Sequence, residues 1–287
     1  ILDQSVKTGR QTDYPKNNLL AAFVSTREQL SEVLLFDSVS IVYLDSDLFL
    51  REKSAILALM RKYKKQYFLA LPPILRKRSY LYLEQYQILM ESCLFSGVLV
   101  RNFESVQWLK TIDYSGQIIS DYTIYAWNNV SLKLCAEWFD RVTLPLELNR
   151  KELLTISNNA WSELLLYGRI PLMYSANCLQ KTLKTCMNKT DGQTVYHLTD
   201  RYQNIFPVVS DCLHCYNILY NTVPISLHGQ LENIQKTGYG VLRLDFSLED
   251  GRQTREVLAF YDKKLQGAAV DFTWKGFTNG HYKRGVE

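Results

Sequence analysis

Hydrophobic residues recur along this chain in short solid runs, at 20–24, 40–44, 67–71, 97–100, 117–119, 141–144, 163–166 and 241–246. Between most of them the apolar positions shift to helical spacing, as over 27–35, 52–64, 79–92 and 130–139. A run that is apolar throughout belongs to a strand buried on both faces. An amphipathic helix between two such strands is the crossover that parallel pairing requires. Eight strands joined this way close a (βα)8 barrel, typically built from about 250 residues. The pattern therefore predicts an α/β fold of the TIM-barrel type.

The rhythm breaks after the seventh run. Residues 194–199 and 204–209 have the composition of two short strands joined at 201–203, and Asp191-Gly192 is a turn dipeptide. A small β-hairpin insertion is expected there. The same stretch holds four of the six cysteines, Cys178, Cys186, Cys212 and Cys215, the last two as a C-x-x-C. Two thiolates two residues apart grip one ion, and a second pair brought alongside completes a four-thiolate shell. The expected ligands are thus Cys178, Cys186, Cys212 and Cys215, with zinc or a four-iron iron–sulfur cluster as the group held. The spacing alone does not choose between those metals. Disulfides and buried reduced thiols are the alternative readings. Six cysteines in 287 residues are too sparse for a disulfide scaffold. With no recognisable signal peptide, the expected setting is a reducing, cytoplasmic one.

Composition adds bounds. An apolar share of 47% and a charged share of 22% suit a folded chain, and no apolar run is long enough to span a bilayer. A net charge of +4 permits RNA or nucleotide partners without demanding them. The organisation expected is a linker or trimmed edge of a longer protein over 1–18, seven βα units over 19–170, the cysteine insertion over 171–221, the last βα units over 222–270 and a basic tail over 271–287.

Each predicted strand ends in polar or turn residues, and in a barrel such positions meet at one mouth, where catalytic groups lie. Ser25 and Thr26 follow the first, Asp45 and Asp47 the second, Pro72 and Pro73 the third, and Arg101 and Asn102 the fourth. Asp121, Glu147, Arg169 and Asp245 are the polar candidates for catalysis. Their plain alternative is helix capping, which Ser25, Asp45 or Asp121 would each serve. Arg243 and Asp245 share a strand face, so they form either a local ion pair or a ligand contact. No H-E-x-x-H or G-x-S-x-G occurs, and Cys93 and Cys135 sit in helical patterns as structural cysteines.

Several segments together carry a resemblance: Tyr174-Ser175-Ala176-Asn177-Cys178, Leu198-Thr199-Asp200-Arg201, Phe206-Pro207-Val208, the run 212–221, Leu242 to Asp245, and 277–285. The chain resembles the collagenase-like peptidases of family U32, and within it the second, C-terminal barrel of the long forms. That resemblance implies a longer polypeptide with a first barrel as partner. It makes Cys178 and Cys186 two cluster ligands, with Cys212 and Cys215 supplying the rest. Pro171 and Tyr167 stand where the family has a cysteine and a histidine. Asp245 matches an acidic residue of the last strand, and His281 and Arg284 match the tail motif. Three functions follow as expectations. One is a metal-bearing part of an enzyme that hydroxylates RNA or a small molecule without oxygen. The others are a collagenase-like peptidase and a non-catalytic substrate-binding or architectural domain.

Overall fold

The computed structural model describes residues 18–286 except 92–93, 158, 187–192, 273 and 275. Cys93, the Asp191-Gly192 turn and nearly all of the expected linker lie outside the described residues. Seven parallel strands come first: β1 (Leu19–Val24), β2 (Val39–Asp45), β3 (Gln66–Ala70), β4 (Gly97–Val100), β5 (Gln117–Ser120), β6 (Arg141–Thr143) and β7 (Ser162–Gly168). An antiparallel group follows, β8 (Pro171–Ser175), β9 (Gln193–Thr199), β10 (Ile205–Asp211) and β11 (Tyr216–Tyr220), then the short β12 (Ile225–Ser226) and the last parallel strand, β13 (Val241–Asp245).

Strand β13 pairs with both β7 and β1, and β6 pairs with β7, so the eight parallel strands close into the predicted barrel. The crossovers carry α1 (Arg27–Val33), α2 (Ser46–Lys62), α3 (Leu83–Met90), α4 (Phe103–Thr111), α5 (Asn129–Cys135) and α6 (Arg150–Thr155). Helix α7 (Leu179–Thr182) lies in the insertion, α8 (Leu231–Thr237) precedes β13, and α9 (Gly251–Leu265) follows it. The pattern did not mark α4 and α6, which are short and carry exposed apolar residues such as Phe103 and Leu154 that blur the helical stripe.

Strand alternation explains the two cores. Leu20, Ala22 and Val24 pack outward against helices, while Leu19, Ala21 and Phe23 pack into the barrel axis with Ile41, Phe68, Leu99 and Ile119. The interior is not wholly apolar. Arg243, fully buried on β13, pairs with Asp121 at 2.6 Å, Glu163 at 2.9 Å and Asp245 at 2.8 Å. Glu163 also meets Arg141 at 3.3 Å and accepts the Tyr43 hydroxyl at 2.6 Å. The Arg243–Asp245 pair is the local ion pair that the shared strand face allowed.

The insertion is larger than the hairpin expected. Strands β9 and β10 form that hairpin, and β11 and β8 extend it to a four-stranded antiparallel sheet in the order β8-β11-β10-β9. Strand β8 escaped the sequence pattern because Leu172 and Met173 are exposed, which breaks the alternation of a half-buried strand. Among the described residues no helix is long and apolar enough to cross a membrane.

Removing one partner of a buried charge group leaves the others uncompensated. Arg243→Met should therefore lower unfolding stability by about 3–5 kcal/mol in denaturant titration. A loss under about 1 kcal/mol would show that the barrel does not depend on this cation.

Candidate active site

The barrel mouth is a pocket roofed by the inserted sheet. Its floor is built from strand ends: Asp45 and Asp47 after β2, Arg101 after β4, Asp121 after β5 and Asp245 on β13. Its roof is the inner face of the insertion, with Tyr174, Asp211, Tyr216 and Tyr220. Gly168 permits a close approach beside Asp245, because a Cβ there would come within 2.9 Å of the Asp245 Cβ.

Local chain rules place the floor groups. Asp45 caps α2 by accepting the backbone N–H of Asp47 at 2.9 Å, and Asp121 accepts that of Tyr122 at 2.9 Å. Capping fixes one oxygen of each carboxylate and leaves the group at the mouth. The capping role anticipated for Asp45 and Asp121 is thus real, and both line the pocket as well.

The roof is fastened to the floor through the β10–β11 turn. Asp211 accepts the backbone N–H of His214 at 2.9 Å, which shapes the turn and aims the imidazole down into the barrel. His214 is fully buried. Its Nε2 lies 2.9 Å from Asp47 Oδ1 and its Nδ1 2.9 Å from Ser79 Oγ. The Tyr86 hydroxyl donates to the same Asp47 oxygen at 3.0 Å, and the Tyr216 ring stacks on the imidazole at 5.8 Å. Arg76 adds a bond to the Cys215 carbonyl at 2.5 Å, while Arg169 holds the Asn221 and Thr222 carbonyls at 2.9 and 2.5 Å.

Donor atoms of Asp47, Asp211 and His214 lie within 4.8 Å of one another. Burial and then the charge of Asp47 push Asp211 up to about 7, against the opposing pull of His214. Burial also acts to raise Asp47, but the hydrogen bond and charge of His214, with the hydrogen bond from Asp211, hold it below the usual carboxylate range. Burial acts to lower His214, and Asp47 and Asp211 outweigh it and raise it. The two carboxyls are therefore pushed in opposite directions, Asp211 up and Asp47 down. Two carboxylates this close separate their titrations in just this way. Across the floor, burial raises Asp45, helped by the charge of Asp47. Burial, together with the charges of Asp121 and Glu163, brings Asp245 up to about 7 against Arg243.

Ser79, His214 and Asp47 have the spacing of a nucleophile triad, yet Ser79 is fully buried, accepts the Arg76 backbone N–H at 3.0 Å and does not line the pocket. It positions the imidazole instead of reaching substrate.

Of the sequence candidates, Asp121, Arg169 and Asp245 line the pocket. Glu147 does not, and accepts from the exposed Tyr125 hydroxyl at 3.3 Å. Tyr167 is buried on β7 and donates to Glu249 at 3.0 Å, while Pro171 opens β8 at the pocket wall. Asp47, Asp211 and His214 were not among the candidates. Asp47 stood in plain view beside Asp45 at a strand end, but Asp211 and His214 were masked by the C-x-x-C around them.

The cysteines gather at one end of the inserted sheet. Cys178 follows the end of β8, and Cys212 and Cys215 lie in the β10–β11 turn. Burial and the nearness of Cys178, Asp211 and Cys186 push the Cys212 thiol up. Asn217, two residues past Cys215, donates to the carbonyl of Asn177, next to Cys178, at 2.5 Å. Among the described residues, the donor set within 4.8 Å is Asp47, Asp211 and His214, not a set of cysteine sulfurs.

The model of peptidase family U32 matches residues 43–280. No curated protein matches the chain. The fold overlays the solved structure of the U32 peptidase Mk0906 with a TM-score of 0.45 at 9% identity, covering 86% of this chain and 100% of that one. It overlays a chitinase from Chromobacterium violaceum ATCC 12472 with a TM-score of 0.41 at 10% identity, covering 88% and 100%. It overlays the spore cortex-lytic enzyme SleL from Bacillus megaterium QM B1551 with a TM-score of 0.41 at 9% identity, covering 88% and 75%.

The contact between roof and floor has a definite pH dependence. Asp211 takes up a proton on closing, so its contribution weakens as pH rises from about 4, the ordinary carboxylate value, to about 7. The raised His214 acts in the same direction, its contribution complete below its ordinary value of about 6.5 and lost above it. Asp47, being lowered, contributes fully above the ordinary carboxylate range. Amide exchange over 205–220, corrected for intrinsic rates, should be slower at pH 5.5 than at pH 8. Equal protection at both would mean that the fastening is not ionic.

Proposed function

The chain belongs to peptidase family U32, and from that premise we propose that it is an acid–base hydrolase domain acting on the amide bond of a short peptide held in the barrel mouth. The carrying observation is the buried cluster of Asp47, Asp211 and His214, whose donor atoms lie within 4.8 Å of one another with both carboxyls at the pocket wall. In this reading Asp47, kept ionised by His214, takes a proton from the attacking water. Asp211, carrying a proton near neutrality, gives it to the leaving amine, and the pair ends with its proton exchanged between the two sites. The pocket is narrow, about 70 Å³, so it takes a small polar group and not a folded polypeptide. Release and entry then require the inserted sheet to lift.

Asp47→Asn and Asp211→Asn should each lower kcat for short-peptide hydrolysis at least about a hundredfold, the scale of positioned acid–base catalysis. Activity should fall as pH rises through about 7, where Asp211 loses its proton. A folded wild-type protein that cleaves no peptide in a broad library removes this reading.

A second reading is favoured by the cysteines. Cys178, Cys186, Cys212 and Cys215 share one end of the inserted sheet, next to the turn that carries Asp211 and His214. Tetrahedral zinc, with Zn–S near 2.3 Å, brings its sulfurs to about 3.8 Å from one another. A cubane cluster has one thiolate per iron and spaces its ligands more widely, which suits sulfurs that form no set of three within 4.8 Å. A cluster here would supply redox chemistry for oxygen-independent hydroxylation of RNA or a small molecule, with the barrel working as part of a longer polypeptide. Protein purified without oxygen should then carry iron and absorb visible light. A colourless protein with one zinc per chain would remove the redox version, and a metal-free protein would remove the site.

A further inference from the structure

The guanidinium of Arg101 is the least satisfied cation in the barrel mouth. It lies in the pocket wall with its side chain 12% exposed, over the Phe23 ring at 4.9 Å. Its nearest carboxylates, Asp45 at 3.6 Å and Asp121 at 3.8 Å, fall short of hydrogen-bond distance. Nε and Nη2 are shut off from water and have no acceptor among the described residues. A buried guanidinium normally places its donors on acceptors, because a donor left unmet has given up its bond to water for nothing. Asp45 and Asp121 are each already engaged, the first as the α2 cap and the second by Arg243 at 2.6 Å.

Arg169 enters the same pocket. Its Nη1 holds the insertion by two backbone carbonyls, and its Nε is likewise buried with no acceptor among the described residues. The guanidiniums Arg101, Arg141 and Arg243 share four acids at the floor, Asp45, Asp121, Glu163 and Asp245, and of the three Arg101 stands farthest from its partners.

We propose that Arg101, with Arg169 across the pocket, is an anion subsite that takes the carboxylate of a small ligand. A planar carboxylate matches the guanidinium fork, and the small cavity suits a terminal carboxylate better than a larger anion. This inference rests on the mouth being the ligand pocket, as the hydrolase reading holds, and narrows that reading: a peptide would enter by its C-terminus. The same carboxylate could belong to a free organic acid, which would keep the subsite and set peptide cleavage aside.

Binding separates the cases without needing turnover. The full chain is titrated by calorimetry with N-acetyl dipeptides bearing a free C-terminal carboxylate, the same dipeptides amidated, succinate, and inorganic phosphate. The proposal expects carboxylate ligands to bind and amidated ones to bind at least about tenfold more weakly. Arg101→Lys, which keeps the charge and loses the fork, should weaken carboxylate binding at least about tenfold with the circular dichroism spectrum unchanged. Should Arg101→Lys unfold, Arg169→Gln must weaken the same ligands. Peptide acids binding in place of succinate identifies a C-terminal substrate, and succinate alone identifies a free acid; both support the subsite. Absence of carboxylate binding by folded wild type, tighter binding of phosphate, or unaltered affinity in the variants would overturn it. Carboxylate binding with no peptide cleavage would sink the hydrolase reading alone.

Discussion

The arrangement depends on one buried contact, in which His214 and Asp211, carried on the turn of the inserted sheet, meet Asp47 at the end of β2. Without it the barrel mouth would be an open bowl and the sheet an appendage. With it, three ionisable groups leave water together, which is tolerable only because each compensates another. His214 holds Asp47 below the ordinary carboxylate range, and Asp211, pushed up by burial and by Asp47, sits beside it. The contact that closes the pocket is thus also the one that splits the two carboxyl titrations. Assembly and chemistry have the same cause.

The floor beneath is rigid for a related reason. Arg243 sits in the barrel axis where most barrels of this kind carry branched apolar layers, and its three acid partners come from β5, β7 and β13 or their ends. Such a network contributes less to net stability than its short distances suggest, since desolvating the ions offsets much of the attraction. What it does provide is position. The Asp121 and Asp245 side chains cannot swing without breaking their bonds to Arg243, so the mouth has a fixed floor. Both layers meet at Arg101, which has charged neighbours but, among the described residues, no acceptor for its buried Nε and Nη2.

Much of this was legible in the residue pattern, for identifiable reasons. Most positions of the barrel strands are buried and apolar on both faces, so runs such as Val98 to Val100 announce themselves. Asp45 and Asp121 were visible as strand-end polar groups, and they serve as caps and pocket walls together. Strand β8 was missed because its exposed Leu172 and Met173 break the alternation of a half-buried strand. Helices α4 and α6 carry exposed apolar residues, Phe103 and Leu154, that blur the helical stripe. Glu147 looked equivalent to the other strand-end acids, yet the β6–α6 loop carries it outward to Tyr125. Asp211 and His214 could not be recognised, because their partner Asp47 is more than 160 residues away and only the docking of the insertion makes them a group. The cysteines drew attention to the right turn, and the residues between them fasten it.

The account stands or falls on the protonation of the Asp47–Asp211 pair, which carboxyl carbon chemical shifts report directly across a pH titration. The prediction is one aspartate in this pair with a midpoint near 7 and its neighbour below the ordinary carboxylate range, the lowered one rising when His214 is replaced by Ala while the raised one does not fall. If both carboxyls titrate independently near 4 in the folded wild type, they share no proton, and neither the closed mouth nor the acid–base pair described above exists.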